Sequence, residues 1–215
     1  MGTNPSSFKD NPYGNENQDY RPVDSVNWYE AVAFCNELTI ETFGDSYCVY
    51  YTDDTFLTLY TVADAADKVL PYFDQTKKGY RLPTEAEWEF AARGGDPNDA
   101  SWENNFNLLN SITDDYAWIA SNSDGLTHQV GNKSSINSLY DIAGNVYEWC
   151  WDIPIDVSIT DLTENPTGNI SGSYRTLRGG YWGGDSECMY RYSAKPNINN
   201  TDILNTVGFR LCRSL

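Results

Sequence analysis

Apolar positions in this chain come in short, well-separated clusters. The first 25 residues are polar and rich in Asn, Pro and Gly, the composition of an extended arm or loop. At Asn27 the pattern changes, and Trp28, Ala31, Val32, Cys35 and Leu38 recur at helical spacing. Asn27 can cap this helix, and Glu30, three residues on, can reach back to close a capping box. From Tyr47 to Tyr60, Val, Tyr, Thr, Phe and Leu come in near alternation, which predicts a β-hairpin turning at Asp53-Asp54.

The stretch Gly79–Gly95 carries the clearest local signal. A short strand is predicted to end at Pro83, after which Thr84 caps a helix with Glu87 at the third position. That helix should turn Trp88, Ala91 and Ala92 inward and stop at Gly94, where a left-handed residue suits glycine. Residues 96–135 are polar and rich in Asn, Asp and Ser, broken only by the apolar run Tyr116–Ala120. Loops this long are functional, or are held by something other than regular structure, such as a bound cation. Short strands are predicted at Val146–Trp151, Thr176–Gly180 and Val207–Cys212, with an irregular segment between the last two. There is no internal repeat and no low-complexity tract.

Composition narrows the function classes. With 16 Tyr, 7 Trp and 8 Phe the chain can build a core, whereas acidic chains that stay disordered are aromatic-poor. A net charge of −17 argues against nucleic acid or an anionic membrane surface as partner, because both need a basic face. No apolar run approaches the roughly 20 residues that span a bilayer. The chain opens on no basic, then apolar, leader pattern. Cys35, Cys48, Cys150, Cys188 and Cys212 are odd in number with no CxxC pair, which leaves a zinc knuckle unsupported. Cys35 lies on the apolar face of the first helix and reads as core. The others are either buried thiols or include one disulfide.

Four segments, in order, resemble the formylglycine-generating-enzyme, or sulfatase-modifying-factor, family. They are Arg21-Pro22-Val23 leading into Asn27-Trp28-Tyr29-Glu30-Ala31, the Gly79–Gly95 stretch, Leu139–Trp149, and Leu177-Arg178-Gly179-Gly180 paired with Gly208-Phe209-Arg210-Leu211. The resemblance runs from about residue 5 to 212 and implies one α+β domain over 1–215. The implied fold is of the C-type-lectin type, with short antiparallel sheets, two helices and long loops. Met1–Phe8 resembles an internal family segment, so an N-terminal strand and any export signal or lipid anchor are expected to precede it. Export or cell-surface display is the expectation, with a cytoplasmic location as the alternative.

Enzymes of the family oxidise a substrate cysteine using copper held by two cysteines after the Gly-Gly pair. Carried through Gly179-Gly180 and Tyr190-Arg191-Tyr192, those positions fall on Gly184 and Met189, with Cys188 one residue off. In a strand, one residue turns a side chain to the other face, and a lone thiol cannot supply the thiolate pair that suits Cu(I). A sister branch binds iron with three histidines, and this chain has only His128, read as solvated or hydrogen-bonded in a polar loop. No catalytic residue and no catalytic metal are therefore expected. The resemblance also implies a structural calcium, held by the Asp141 and Glu148 carboxylates and the Gly144 and Val146 carbonyls; calcium takes 6–8 hard oxygens. Read from the residues alone, the same segment is a Gly-Asn turn with Glu148 as a buried, hydrogen-bonded anchor.

The segment 181–206 sets Tyr and Trp among Gly, Ser, Asn, Asp and Thr, a composition that gives rigid contact area with adaptable hydrogen bonding. Trp182 reads as core, and the tyrosines read equally as core or as contact residues. The segment is similar to the variable region of diversity-generating-retroelement proteins, a branch of the family. There, adenine mutagenesis of Asn-type codons yields a restricted residue set. Tyr181, Gly183, Gly184, Asp185, Tyr190, Tyr192, Ile198, Thr201, Asp202, Ile203, Leu204 and Thr206 belong to that set, and Glu187, Met189 and Lys195 do not. The resemblance thus implies a non-catalytic display protein whose partner is a macromolecule, a protein rather than nucleic acid, with no direct membrane insertion. Formylglycine-generating oxidase and structural accessory module are the alternatives.

Overall fold

The computed structural model describes residues 4–9, 13–99, 102, 114–153, 171–185 and 198–214. Its largest element is helix α1, Trp28–Phe43, which begins where the pattern places it. The Asn27 side chain accepts from the Glu30 amide at 3.1 Å, and the Glu30 carboxylate accepts from the Asn27 amide at 2.9 Å. Gly44, at φ 95°, ends the helix. A second helix, α2, covers Val62–Ala66, and α3 covers Glu85–Ala92 behind the expected Thr84–Glu87 capping box. Trp88 and Ala92, one turn apart, face inward; Ala91, expected beside them, is exposed. With α3 only eight residues long, its i, i+4 pair fills the available contact and the neighbouring position faces water.

Two small sheets complete the frame. Strand β1 (Tyr50–Tyr51) pairs antiparallel with β2 (Tyr72–Phe73), and Tyr51 also bridges Leu59, closing the return expected around Asp53. Strand β3 (Tyr147–Trp149) lies between β4 (Leu177–Arg178) and β5 (Val207–Phe209). Here the expectation of antiparallel sheets needs correction: β4 runs antiparallel to β3, but β5 runs parallel to it. The long excursion from β3 to β5 allows this, since a parallel pair needs a crossover rather than a tight turn. The strand expected before Pro83 contributes a single bridge, Arg81 to Cys212.

The main core joins α1 to the central sheet through Trp28, Val32, Cys35, Tyr50, Trp149, Trp151 and Leu177. Buried indoles find acceptors as they must: Trp28 Nε1 donates to Cys150 O and Trp149 Nε1 to Val26 O, each at 3.0 Å. A second core gathers Trp88, Ala92, Ala117, Ile119, Ile136, Ile142 and Cys150, so Tyr116–Ala120 anchors the long loop to α3. Among the described residues no helix is long and apolar enough to cross a membrane.

Candidate functional site

Between the two cores the segment 141–150 runs fully buried, and its turn is set by glycine chemistry. Gly144 sits at φ 73°, and a Cβ there would lie 2.2 Å from the Trp118 carbonyl oxygen, so only glycine permits this approach. The next residue, Asn145, donates its amide to that same carbonyl at 2.9 Å. Its side chain bridges the His128 backbone, accepting from His128 N and donating to His128 O at 3.0 Å each. The Asn145 carbonyl accepts the Trp182 amide at 2.8 Å. One asparagine thus ties the long loop, the central strand and the start of the 181–206 segment.

Trp182 is correspondingly fixed. Its carbonyl accepts from Ser123 Oγ at 2.7 Å, its Nε1 donates to Asn205 O at 3.1 Å, and its ring meets Phe8 edge-on at 5.5 Å. It is half-buried and outside both cores, so the core expectation holds only in part. Tyr181 stacks on Tyr147 at 5.1 Å and packs against the main core. Gly184 is buried, with its amide on Tyr181 O at 3.0 Å and its carbonyl accepting from Ala120 N at 2.9 Å. Gly183 is partly buried and lies so near the Tyr181 ring that a Cβ would stand 2.8 Å from Cε2.

The remaining expected binding positions divide by exposure. Asp185, Thr201 and Ile203 are exposed, Ile203 at 57%. Asp202 and Thr206 are intermediate, and the Asp202 carboxylate accepts from Asn199 N at 3.1 Å. Ile198 is buried in the main core and Leu204 packs against it, so neither can be offered whole to a partner. Tyr190 and Tyr192, with Glu187, Cys188, Met189 and Lys195, lie outside the described residues. The framework under the rim was not read from the sequence: Asn200 donates through Nδ2 to Tyr29 Oη and accepts from Trp28 N through its carbonyl. A signal was available, since an Asn beside a core aromatic segment invites backbone bonding.

Of the expected calcium ligands, Glu148 is held by a guanidinium and Asp141 lies beside it through its backbone carbonyl. Arg210 donates to Glu148 Oε2 through Nε at 2.9 Å and to Oε1 through Nη2 at 2.7 Å, while Trp88 Nε1 donates to Oε2 at 2.6 Å. Glu148 is therefore a buried, hydrogen-bonded anchor. Asp141 accepts from Gly131 N at 2.7 Å, and burial pushes its carboxyl pKa upward. Both Glu148 oxygens accept hydrogen bonds, so a calcium ion at this turn would have to share the carboxylate with Arg210. His128 is fully buried rather than solvated: it stacks on Trp118 at 3.8 Å, with Nδ1 3.0 Å from Glu16 and Nε2 2.8 Å from Ser123 O.

The described thiols are poor nucleophiles and poor soft-metal ligands. Burial pushes Cys35 and Cys150 well above the ordinary thiol pKa, Cys48 to about 11 and Cys212 to about 12. All four are free thiols, and among the described residues no three His, Cys, Asp or Glu side chains are grouped to hold a metal.

The whole chain, residues 1–215, matches the family model described as the sulfatase-modifying factor enzyme 1-like domain. The chain belongs to this family. It is 34% identical over 154 residues to the formylglycine-generating enzyme of Streptomyces coelicolor, covering 61% of this chain and 46% of that one. It is 33% identical over 198 residues to the chaperone protein LppX of Paenibacillus barcinonensis, covering 85% of this chain and 63% of that protein. The chain thus spans less than two thirds of these relatives. Among solved structures, Treponema denticola variable protein 1 matches at 37% identity with a TM-score of 0.76, over 100% of this chain and 79% of that one.

Proposed function

We propose that this chain is a non-catalytic binding domain of the retroelement-diversified type, which offers the rim of 181–206 to a protein partner from a fixed scaffold. The observation that carries this reading is the construction around Gly184. At the position expected for a metal-binding cysteine stands a buried glycine whose amide and carbonyl are both tied to backbone, while Asp185, Thr201 and Ile203 face solvent at the rim. The scaffold beneath is over-determined: Asn145, Ser123 and Asn205 each fix Trp182. Such a division suits diversification, because rim changes leave the hydrogen-bonded frame intact. The full-length match to a variable protein supports the same reading. Display outside the cell is part of the proposal, since a partner protein must reach this rim.

Two experiments test it. A library randomised at 185, 201 and 203 should fold as the parent does and should yield binders to unrelated proteins on selection; a library that fails to fold would refute the rim. Incubation with Cu(I), oxygen and a cysteine-bearing sulfatase-type peptide should leave the cysteine unoxidised. Formylglycine in that peptide would instead make the chain an oxidase.

A further inference from the structure

The small sheet of β1 and β2 carries apolar side chains on both of its faces. An antiparallel sheet that packs one face on a core turns polar residues to water on the other. Tyr50 and its register partner Phe73 meet Trp151 in the core, as that rule requires. The outer face breaks it. There Tyr51 stands with Tyr72 opposite it on one side and Leu59 bridged to it on the other. Directly paired residues share a face, so the three form one apolar row. Phe56 lies over the row, its ring edge-on to Tyr51 at 5.4 Å. Next to it Leu57 is 85% exposed, with Phe56 at 38% and Tyr72 at 39%. Single exposed apolar residues are ordinary, but a joined group with a polar border marks an interaction surface.

The loop that presents Leu57 is closed by its own hydrogen bonds. The Thr52 amide donates to Thr58 O at 2.9 Å across its base. The Thr55 amide donates to Asp53 Oδ1 at 2.9 Å, the Thr55 hydroxyl meets the same oxygen, and the Phe56 amide turns to Asp53 O. Phe56 sits at φ 53°, in the left-handed region that a bulky side chain rarely enters. Backbone strain of this kind gathers at binding sites. The leucine that follows it contributes little to the core, so the loop spends strain on an exposed anchor.

The border of the patch is acidic. Asp53 and exposed Asp54 belong to the loop itself. From the other side come Asp74 and exposed Asp45; burial, and then these charges, push the Tyr51 phenol pKa upward. Lys77 turns its ammonium to Ser46 O at 3.1 Å. A second copy of this chain would bring the same carboxylates against these, at a net charge of −17 each. An anionic lipid surface meets the same repulsion. A cationic amphipathic partner suits both parts, with apolar residues on Leu57, Phe56 and Tyr72 and basic ones against the aspartates.

We infer that the outer face of the β1–β2 sheet, with Leu57 as its anchor, is a second interaction surface that binds a basic amphipathic protein segment. It is built from residues outside 181–206 and does not rest on the role proposed for that rim.

The test uses the full chain and two synthetic helical peptides, one of Leu and Lys and the other of Leu and Glu in the same pattern. In about 0.15 M salt, which screens charges farther apart than roughly 8 Å, the Leu–Lys peptide should bind saturably at unit stoichiometry in calorimetry. The Leu–Glu peptide should not bind. Leu57→Ser keeps every charge and, being at an exposed position, the fold; it should weaken binding by about tenfold or more. Ile40→Ser and Ile203→Ser, apolar losses at exposed positions elsewhere, should leave binding unchanged. The two peptides test the idea on the unaltered chain, so a variant that misfolds leaves it decidable. Equal binding by the parent and Leu57→Ser would reduce the attraction to net charge and overturn the inference. Absence of saturable binding, or equal binding of the Leu–Glu peptide, would overturn it too. Self-association of the chain alone, or its binding to phosphatidylcholine vesicles, if abolished by Leu57→Ser, would make a second copy or a lipid surface the occupant and overturn the assignment of a basic partner.

Discussion

Replacing Gly144 by alanine should be among the most damaging single-methyl changes possible in this domain. The added Cβ would meet the Trp118 carbonyl oxygen at 2.2 Å, a backbone atom with no flexible side chain to yield. Relief requires the two segments to part, which breaks the Asn145 N to Trp118 O bond at 2.9 Å and strains the Gly144 N to Gly179 O bond at 2.7 Å. Each such bond contributes about 1 kcal/mol net. The left-handed φ of 73° adds about 1–2 kcal/mol for any residue with a Cβ. Loosened packing of Ala117, Ile119 and Ile142 costs a further ~1 kcal/mol. The expected loss is about 4 kcal/mol, a large share of a typical domain's stability. In urea unfolding followed by tryptophan fluorescence, the midpoint should fall by roughly 1–2 M. Gly125→Ala is the matched control: its φ is 76°, but the nearest atom to a new Cβ is Trp182 Cζ3 at 3.9 Å. It should lose only the conformational part, about 1–2 kcal/mol. Equal midpoints for the two variants would refute the close-approach account of the turn.

Three further outcomes are expected. Burial pushes the Asp152 carboxyl up to about 7, so between its ordinary pKa near 4 and about 7 the folded chain keeps a proton the unfolded chain has lost. Stability from this group is therefore full at low pH and is lost as pH rises through about 7. Asp152→Asn should flatten that part of the profile and raise stability at pH 8 by about 1–3 kcal/mol in urea titrations. Arg210→Ala leaves Glu148 buried and uncompensated and should cost about 3–5 kcal/mol; added calcium should shift the melting temperature of the parent chain little, and a large calcium-dependent rise would return the ion to this turn. Thr201→Ala and Ile203→Ala, both exposed, should change stability by less than about 0.5 kcal/mol while altering partner affinity.

Local signals carried much of the fold. Both capping boxes that were read, at Asn27–Glu30 and Thr84–Glu87, form as expected because their parts lie within one turn. A third, Thr61–Asp64, starts α2 and went unread, although the Thr-x-x-Asp spacing was there; five residues give too little periodicity to draw attention. Strand positions were legible from aromatic and β-branched runs, but the parallel pairing of β3 with β5 was not, since direction depends on the path of the intervening chain. The site was legible in outline only. Gly184 stands out as a glycine at an expected cysteine position, yet its locked backbone depends on Ala120, sixty-four residues earlier in the chain. His128, read as solvated or hydrogen-bonded, takes the second form, and its burial was not legible because Trp118, Glu16 and Asn145, which enclose it, are brought there by the fold. The burial of Ile198 was not legible either, because residue type cannot distinguish a contact isoleucine from a core one.

The central claim is a constant scaffold beneath a changing rim, and the DNA speaks to it most directly. Sequencing this gene and its downstream region across many sibling isolates should show substitutions concentrated in the codons for 181–206. Asp185, Thr201 and Ile203 should vary, Asn145, Gly144 and Ser123 should not, and a near-repeat of those codons should lie beside a reverse transcriptase gene. An invariant 181–206 with no such repeat would contradict the account.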